Sequence, residues 1–200
     1  LTTQEEWTQK VPLRDYEGIK PYIERIKEGE INVLWKGKPA YFCKTSGTTS
    51  GTKYIPMSEE GIKAQTRAAR QALLAYIAET GNSSFTEGKM IFLQGSPRMT
   101  DVQGISVGRL SGIVAHHVPS YLQKNRMPSW KTNSIEDWEK KVDAIVEETV
   151  DADMRLISGI PPWVQMYFER LLKRSGKQNI QQIYPNFSVF AHGGVNYQPY

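Results

Sequence analysis

Apolar residues recur at helical spacing in four stretches of the chain. Tyr16, Ile19, Ile23 and Ile26 share one face of a helix expected over residues 15–28, and Gly29 stands where a C-terminal cap belongs. Ser58 followed by Glu59 and Glu60 marks a second start, with acids at the positive end of the helix dipole. Its inward face is expected to carry Ile62, Ala69, Leu73 and Tyr76, up to about Glu79, with Gly81 as the stop. Ser134 and Asp137 are expected to cap a third helix running to about Val150, with Trp138, Val142, Ile145 and Val146 on its apolar side. The fourth, "PPWVQMYFERLLKRSG" (161–176), has proline in its first turn and glycine past its end.

Short apolar runs between these helices read as strands: "AYFCK" (40–44), "KYIPM" (53–57), "KMIFLQG" (89–95), "MRLISG" (154–159) and "NFSVFAHGG" (186–194). Ile55 is held extended by Pro56. Residues 96–133, rich in Gly, Ser and Pro, read as loops with short elements. The strand at 154–159, the helix at 161–176 and the strand at 186–194 form a βαβ unit, whose strands should be parallel with a right-handed crossover. The fold class is α/β, a mixed sheet with packed helices and this βαβ unit near the C-terminus.

Composition adds limits. At 200 residues, 39% hydrophobic and 23% charged, the chain can bury one sizeable core. The net charge of +4 is spread along the chain, with no dense Lys/Arg stripe and interleaved aromatics, which argues against nucleic acid and suits a small anionic ligand. A single cysteine, Cys43, excludes an intramolecular disulfide, and with three scattered His it makes no zinc cluster at usual spacings. The N-terminal "LTTQEEWTQK" has no apolar signal core, and no apolar run approaches the ~20 residues that cross a bilayer. The expectation is a cytoplasmic protein with no membrane partner.

Candidate chemistry concentrates in "CKTSGTTSGTKYIP" (43–56), where Thr45 to Gly51 are only Thr, Ser or Gly. Such a run is either a flexible linker or a loop that holds something. Its place between two strand-like segments, with Lys53 close behind, favours phosphate binding. Glycines let the backbone approach a ligand, hydroxyls add donors, and a lysine adds a point charge. The triphosphatase pattern G-x-x-x-x-G-K-[ST] fails, because the second required glycine falls on Thr52 when counted from Gly47. The run does not enter a helix directly, so the helix-dipole cradle is missing.

"TSGTTSGTK" resembles the phosphate-binding loop of adenylate-forming enzymes. With "YIPMS" after it, the segment resembles the acyl-acid amido synthetases of the auxin-responsive Gretchen Hagen family, as do "ISGIPPWVQMYFERL" (157–171) and "IYPNFSVFAHGGVNYQPY" (183–200), the latter especially in bacterial members. The resemblance implies that ATP, with Mg²⁺, activates a carboxylic acid to an acyl-adenylate, and that an amine, usually of an amino acid, then displaces AMP to form an amide. It implies that Thr45, Ser46, Gly47, Thr48, Thr49, Ser50, Gly51 and Thr52 line the phosphates. Lys53 would supply catalytic charge, and His192, Gly193, Gly194 and Val195 would lie near adenine and acyl group. Many relatives place the basic residue three positions after the second loop glycine. Lys53 stands two after Gly51, so a solvated surface lysine is the alternative.

Whole enzymes of that family are much longer. The chain is expected to be part of the large N-terminal adenylation domain, inactive by itself. The rest of that domain and the small C-terminal cap, with the acidic Mg²⁺ motif and the ribose-binding aspartate, are expected outside it. Alternatives are another adenylate-forming ligase, such as an acid–coenzyme A ligase, or a non-catalytic nucleotide- or acyl-binding module.

His116 and His117 are candidates for acid–base work, for pocket wall or for surface, and residues 112–121 for the acyl pocket. Trp163, Tyr167, Phe168 and Cys43 read as core, and Arg98 and Asp101 as a solvated turn.

Overall fold

The structure, a computed structural model, describes residues 3–45 and 51–195, apart from the Tyr121 side chain. In chain order the elements are α1 (Gln4–Lys10), α2 (Tyr16–Lys27), β1 (Tyr41–Thr45), β2 (Lys53–Met57), α3 (Glu59–Thr80), β3 (Lys89–Phe92), β4 (Thr100–Val102), β5 (Ile105–Gly108), α4 (Leu110–Ala115), α5 (Ser120–Gln123), β6 (Arg126–Met127), α6 (Trp130–Asn133), α7 (Trp138–Thr149), β7 (Met154–Ser158), α8 (Pro161–Ser175) and β8 (Val189–Ala191). The chain divides into two compact units, Leu1–Glu59 with Thr100–Val107, and Glu60–Met99 with Gly108–Tyr200.

The first unit holds a four-stranded sheet in the order β2-β1-β5-β4. β1 and β2 are antiparallel, in register from Tyr41↔Met57 to Thr45↔Lys53. Pro56 is tolerated in β2 because β2 is an edge strand, where a missing N–H breaks no interior ladder. β4 and β5 turn through Gln103 and Gly104, both at positive φ as a tight hairpin requires. α2 starts at Asp15, whose Oδ1 accepts from the Gly18 N–H at 2.8 Å, and Gly29 follows its end at φ +97°. Ile23 and Ile26 of α2 pack with Phe42, Ile105 and Val107, and Tyr16, Ile19 and Tyr54 close the edges of that core.

The second unit holds a sheet in the order β6-β3-β7-β8, and every neighbouring pair is parallel. Both faces are covered, as parallel strands require. On one face Ile91, Met154 and Ile157 meet Val142, Ile145 and Val146 of α7 and Val164, Tyr167 and Leu171 of α8. On the other, Met90, Leu156 and Val189 meet Phe85, with Leu73, Tyr76 and Ile77 of α3. Met90, Ile91 and Phe92 of β3 alternate between these faces, as do Leu156 and Ile157 of β7; Met154 and Leu156 lie on opposite faces because the register shifts between Lys89 and Met90. The expected βαβ unit is present as β7–α8–β8, with Gly176 at φ +69° after α8. Cys43 and Tyr167 are buried, and Trp163 stacks on Trp138 with centroids 4.2 Å apart.

Two local expectations are corrected. Ala69 is exposed; the inward stripe of α3 runs through Ile62, Leu73, Tyr76 and Ile77, because Ala offers too little apolar area to decide a helix's orientation. Ser134 does not cap α7. It closes α6, its Oγ donating to the Trp130 carbonyl at 2.8 Å, and Asp137 alone caps α7.

Candidate functional site

The Thr/Ser/Gly run connects the strands of one hairpin. Thr45 and Lys53 are the last cross-strand pair of β1 and β2, so both ends of residues 46–52 are held at one point of the sheet. A linker between separate bodies does not have that geometry. Ser46, Gly47, Thr48, Thr49 and Ser50 lie outside the described residues. Thr45, Gly51 and Thr52 are exposed, and Gly51 has φ +79°, where a side chain would be strained. Lys53 is half-buried, with Nζ 5.1 Å from the centre of the Tyr16 ring. The Tyr16 hydroxyl accepts from the outward Tyr54 N–H at 2.9 Å. One tyrosine of α2 therefore ties down the edge strand and places the lysine beside the loop, a cation–π contact.

In the second unit, the parallel strands end together. β6 and β8 are the two edges of this sheet, and between β3 and β6 the chain contributes β4 and β5 to the other sheet. Gly159 follows β7 where a Cβ would lie 3.0 Å from the Leu93 Cβ. Gly194, at φ +85°, approaches the Ile160 side chain, which a Cβ would meet at 3.3 Å; a Cβ on Gly193 would meet nothing within 4 Å. His192 and Val195 are exposed, and the His192 ring lies 5.2 Å from that of Phe190. Gly159 lies just past β7, and Gly193 and Gly194 lie just past β8. The Thr45–Lys53 hairpin and these glycines belong to different units.

The same edge carries a cluster that the sequence reading missed. Lys141 of α7 is 1% exposed, and its Nζ donates to the carbonyls of Gln94 at 2.8 Å and Asn133 at 2.7 Å. Burial, and then the nearby charge of Arg109, lower its pKa to about 8. Oriented to suit its neighbours, the Gln94 amide accepts from Arg126 Nη2 at 2.9 Å and donates to the Ser111 carbonyl at 3.0 Å. Burial also lowers the pKa of Arg126, whose Nη1 donates to the Ala115 carbonyl at 2.9 Å. A signal existed: Lys141 lies three residues after Trp138, inside the apolar stripe of its helix.

The remaining candidates are structural in these contacts. His116 Nε2 lies 2.9 Å from the Pro97 carbonyl, and its ring meets Trp130 edge-on. His117 and Arg98 are exposed, and Asp101 Oδ1 accepts from the Gly104 N–H at 2.9 Å within its hairpin. Within 112–121, Gly112, Ile113 and Ala115 are buried. A cleft of about 600 Å³ opens near the start of β7; its Arg174 is paired with Glu147 and its Asp153 with Arg155. Among the described residues no group of three or more His, Cys, Asp or Glu could hold a metal ion. No helix among them is long and apolar enough to cross a membrane.

These features define an α/β protein shaped like acyl acid amido synthetases. The solved structure of AtGH3.15 acyl acid amido synthetase in complex with 2,4-DB aligns over 87% of this chain and 31% of its own, at TM-score 0.63 and 19% identity. A second structure, of GH3.15 acyl acid amido synthetase, aligns over 90% of this chain and 34% of its own, at TM-score 0.61 and 17% identity. Residues 1–140 match the GH3 family N-terminal domain, and the chain belongs to that family. The probable indole-3-acetic acid-amido synthetase GH3.13 of Oryza sativa subsp. japonica is 34% identical over 100 residues, 48% of this chain and 21% of that protein. Jasmonoyl-L-amino acid synthetase JAR4 of Nicotiana attenuata is 26% identical over 101 residues, 49% of this chain and 17% of that protein. The chain thus spans between about a sixth and a third of the length of these proteins.

Proposed function

We propose that this chain is part of the large N-terminal domain of an adenylate-forming acyl-acid amido synthetase of bacterial type. The whole protein uses ATP to activate a carboxylic acid and transfers the acyl group to the amine of an amino acid. A carboxylate oxygen bonds to the α-phosphorus of ATP as pyrophosphate leaves; the amine nitrogen then bonds to the acyl carbon as AMP leaves and the nitrogen loses a proton. The names of the relatives and the closure of the Thr/Ser/Gly run as a hairpin loop support this reading. Charge accumulates on the phosphates as the first bond forms, and preorganised donors with a nearby cation stabilise it. Residues 45–52 supply those donors and Lys53 the cation. His192, Gly193, Gly194 and Val195 line the adenine and acyl end, where glycine admits close approach. The described residues offer Mg²⁺ no ligand set, so no step is assigned to it through them. The reaction needs no membrane or nucleic acid, and the proposed setting is the cytoplasm.

The hairpin closure at Thr45–Lys53 is the observation that carries the proposal. Its test is Thr48→Ala in the full-length protein. Acid-dependent ATP–pyrophosphate exchange should fall at least tenfold, and an unchanged rate removes the loop from the reaction.

A further inference from the structure

The cleft near the start of β7 lies where α7 and α8 both end, and about 600 Å³ opens there between Asp151, Arg174, Lys177, Ile183 and Pro185. It sits at the amino ends of the parallel strands β7 and β8, whereas Gly159, Gly193 and Gly194 lie just past their carboxyl ends. The length of β7 separates it from the residues proposed for the adenine and acyl end.

Four charged side chains line the cleft, and two of them are committed. Both Glu147 carboxylate oxygens accept from Arg174, from Nε at 2.6 Å and from Nη2 at 3.1 Å. Asp153 Oδ2 accepts from Arg155 Nε at 2.9 Å, and its Oδ1 from Asn186 Nδ2 at 3.0 Å. The other two are Asp151 and Lys177. Both are exposed, and among the described residues neither side chain makes a hydrogen bond or an ion pair, with the other or with any third group. Local structure sets where each stands. The Ala152 N–H donates to the Thr149 carbonyl at 2.9 Å in the turn that carries Asp151 off α7, and the Lys177 N–H donates to Ser175 Oγ at 3.3 Å just past α8.

A cleft with one uncommitted anion and one uncommitted cation matches a ligand that carries both charges. A simple ion would meet one of the two and be repelled by the other, whereas a zwitterion meets both. The carboxyl ends of α7 and α8 add partial negative charge, which favours an ammonium beside Asp151. Lys177 is then left to the carboxylate. Val150, Ala152, Ile183 and Pro185 give the cleft an apolar wall for a side chain.

We propose that this cleft binds a free α-amino acid with an apolar side chain, its ammonium at Asp151 and its carboxylate at Lys177. The inference goes beyond the amido synthetase reading and does not depend on it.

Methyl NMR of the full-length protein tests it. The Ala152 and Ile183 methyl signals report on the cleft, and the Ile160 signal on the carboxyl end of β7. L-Leucine should shift the Ala152 and Ile183 signals saturably. N-acetyl-L-leucine lacks the ammonium and L-leucinamide lacks the carboxylate. Each should bind at least about threefold more weakly, the scale of one exposed charge pair. Asp151→Asn and Lys177→Gln, both at exposed positions, should each weaken L-leucine by at least about threefold as well. No shift in the cleft, equal binding of either derivative, or unchanged binding in either variant overturns the proposal. A shift of Ile160 alone places the amino acid at the other end of the strands and overturns it too. Cleft shifts in a protein without acid-dependent ATP–pyrophosphate exchange would sink the amido synthetase reading and leave this site standing.

Discussion

Lys141 Nζ crosses from α7 to donate to the Gln94 carbonyl at 2.8 Å, so a buried ammonium joins a helix to the end of the central strand β3. The contact has a pH signature. The folded-state pKa of about 8 lies below the ordinary 10.5, so between those values the unfolded chain holds more protons than the folded one. Stability therefore rises with pH across that window; below about pH 8 both states are protonated and the full cost is present. The rise should be on the order of 3 kcal/mol, at 1.36 kcal/mol per pKa unit. From about pH 10 the buried phenols of Tyr167 and Tyr184, whose pKa values are raised by burial, act oppositely and stability falls again. Urea melts from pH 7 to 11 should show this maximum, and Lys141→Met should flatten its rising side.

Tyr184 is expected to be worth more than its ring. Its hydroxyl donates to the Thr149 carbonyl at 2.9 Å and lies 2.7 Å from the Tyr167 hydroxyl, which in turn lies 2.8 Å from Thr149 Oγ1. Tyr184→Phe removes one of two donors to the Thr149 carbonyl, which keeps the Ala152 N–H at 2.9 Å, and takes a partner from the Tyr167 hydroxyl; it should destabilise by roughly 0.5–1.5 kcal/mol. Chemical denaturation measures this, and a change within error would mean that the network contributes nothing net.

Gly112→Ala should reverse the usual sign of a helical glycine. Alanine ordinarily gains up to about 1 kcal/mol in a helix interior. In α4 the new Cβ would stand 2.6 Å from the Ser96 carbonyl oxygen and 3.1 Å from the Pro97 Cα, both backbone atoms. Overpacking of this kind costs about 1–3 kcal/mol. A thermal melt should show a lower Tm, and an unchanged or raised Tm contradicts the packing described for residues 96–112.

Tyr16 separates two contributions at the hairpin. Tyr16→Phe removes the acceptor for the Tyr54 N–H but keeps the ring beneath Lys53, whereas Tyr16→Leu removes both. Both variants should lose stability. If Lys53 serves ATP, only Tyr16→Leu should also raise KM for ATP in the full-length protein. Equal KM values in the two variants would show that the ring does not position the lysine.

Much of the fold was readable because local rules and tertiary packing agree. The α8 boundaries follow from Pro161 and Gly176, the hairpin strands from the flanks of the Thr/Ser/Gly run, and the βαβ unit from the spacing of β7, α8 and β8. β6 was not readable: two residues carry no periodicity, and only pairing with Met90 and Ile91 makes Arg126 and Met127 a strand. The division of the strands between two sheets was equally hidden, since β5 lies between β1 and β4 through contacts distant in sequence.

The candidate site divides in the same way. Residue order alone determined that a hydroxyl- and glycine-rich loop with a following lysine exists, since that chemistry is local composition. The tertiary structure decided that Thr45 faces Lys53 and that Tyr16 engages the lysine. It also decided that Lys141 and Arg126 meet at Gln94 while Arg109 covers Gly95. Those cations come from separate elements, and a charge's partners depend on which elements pack together, which no short-range pattern encodes.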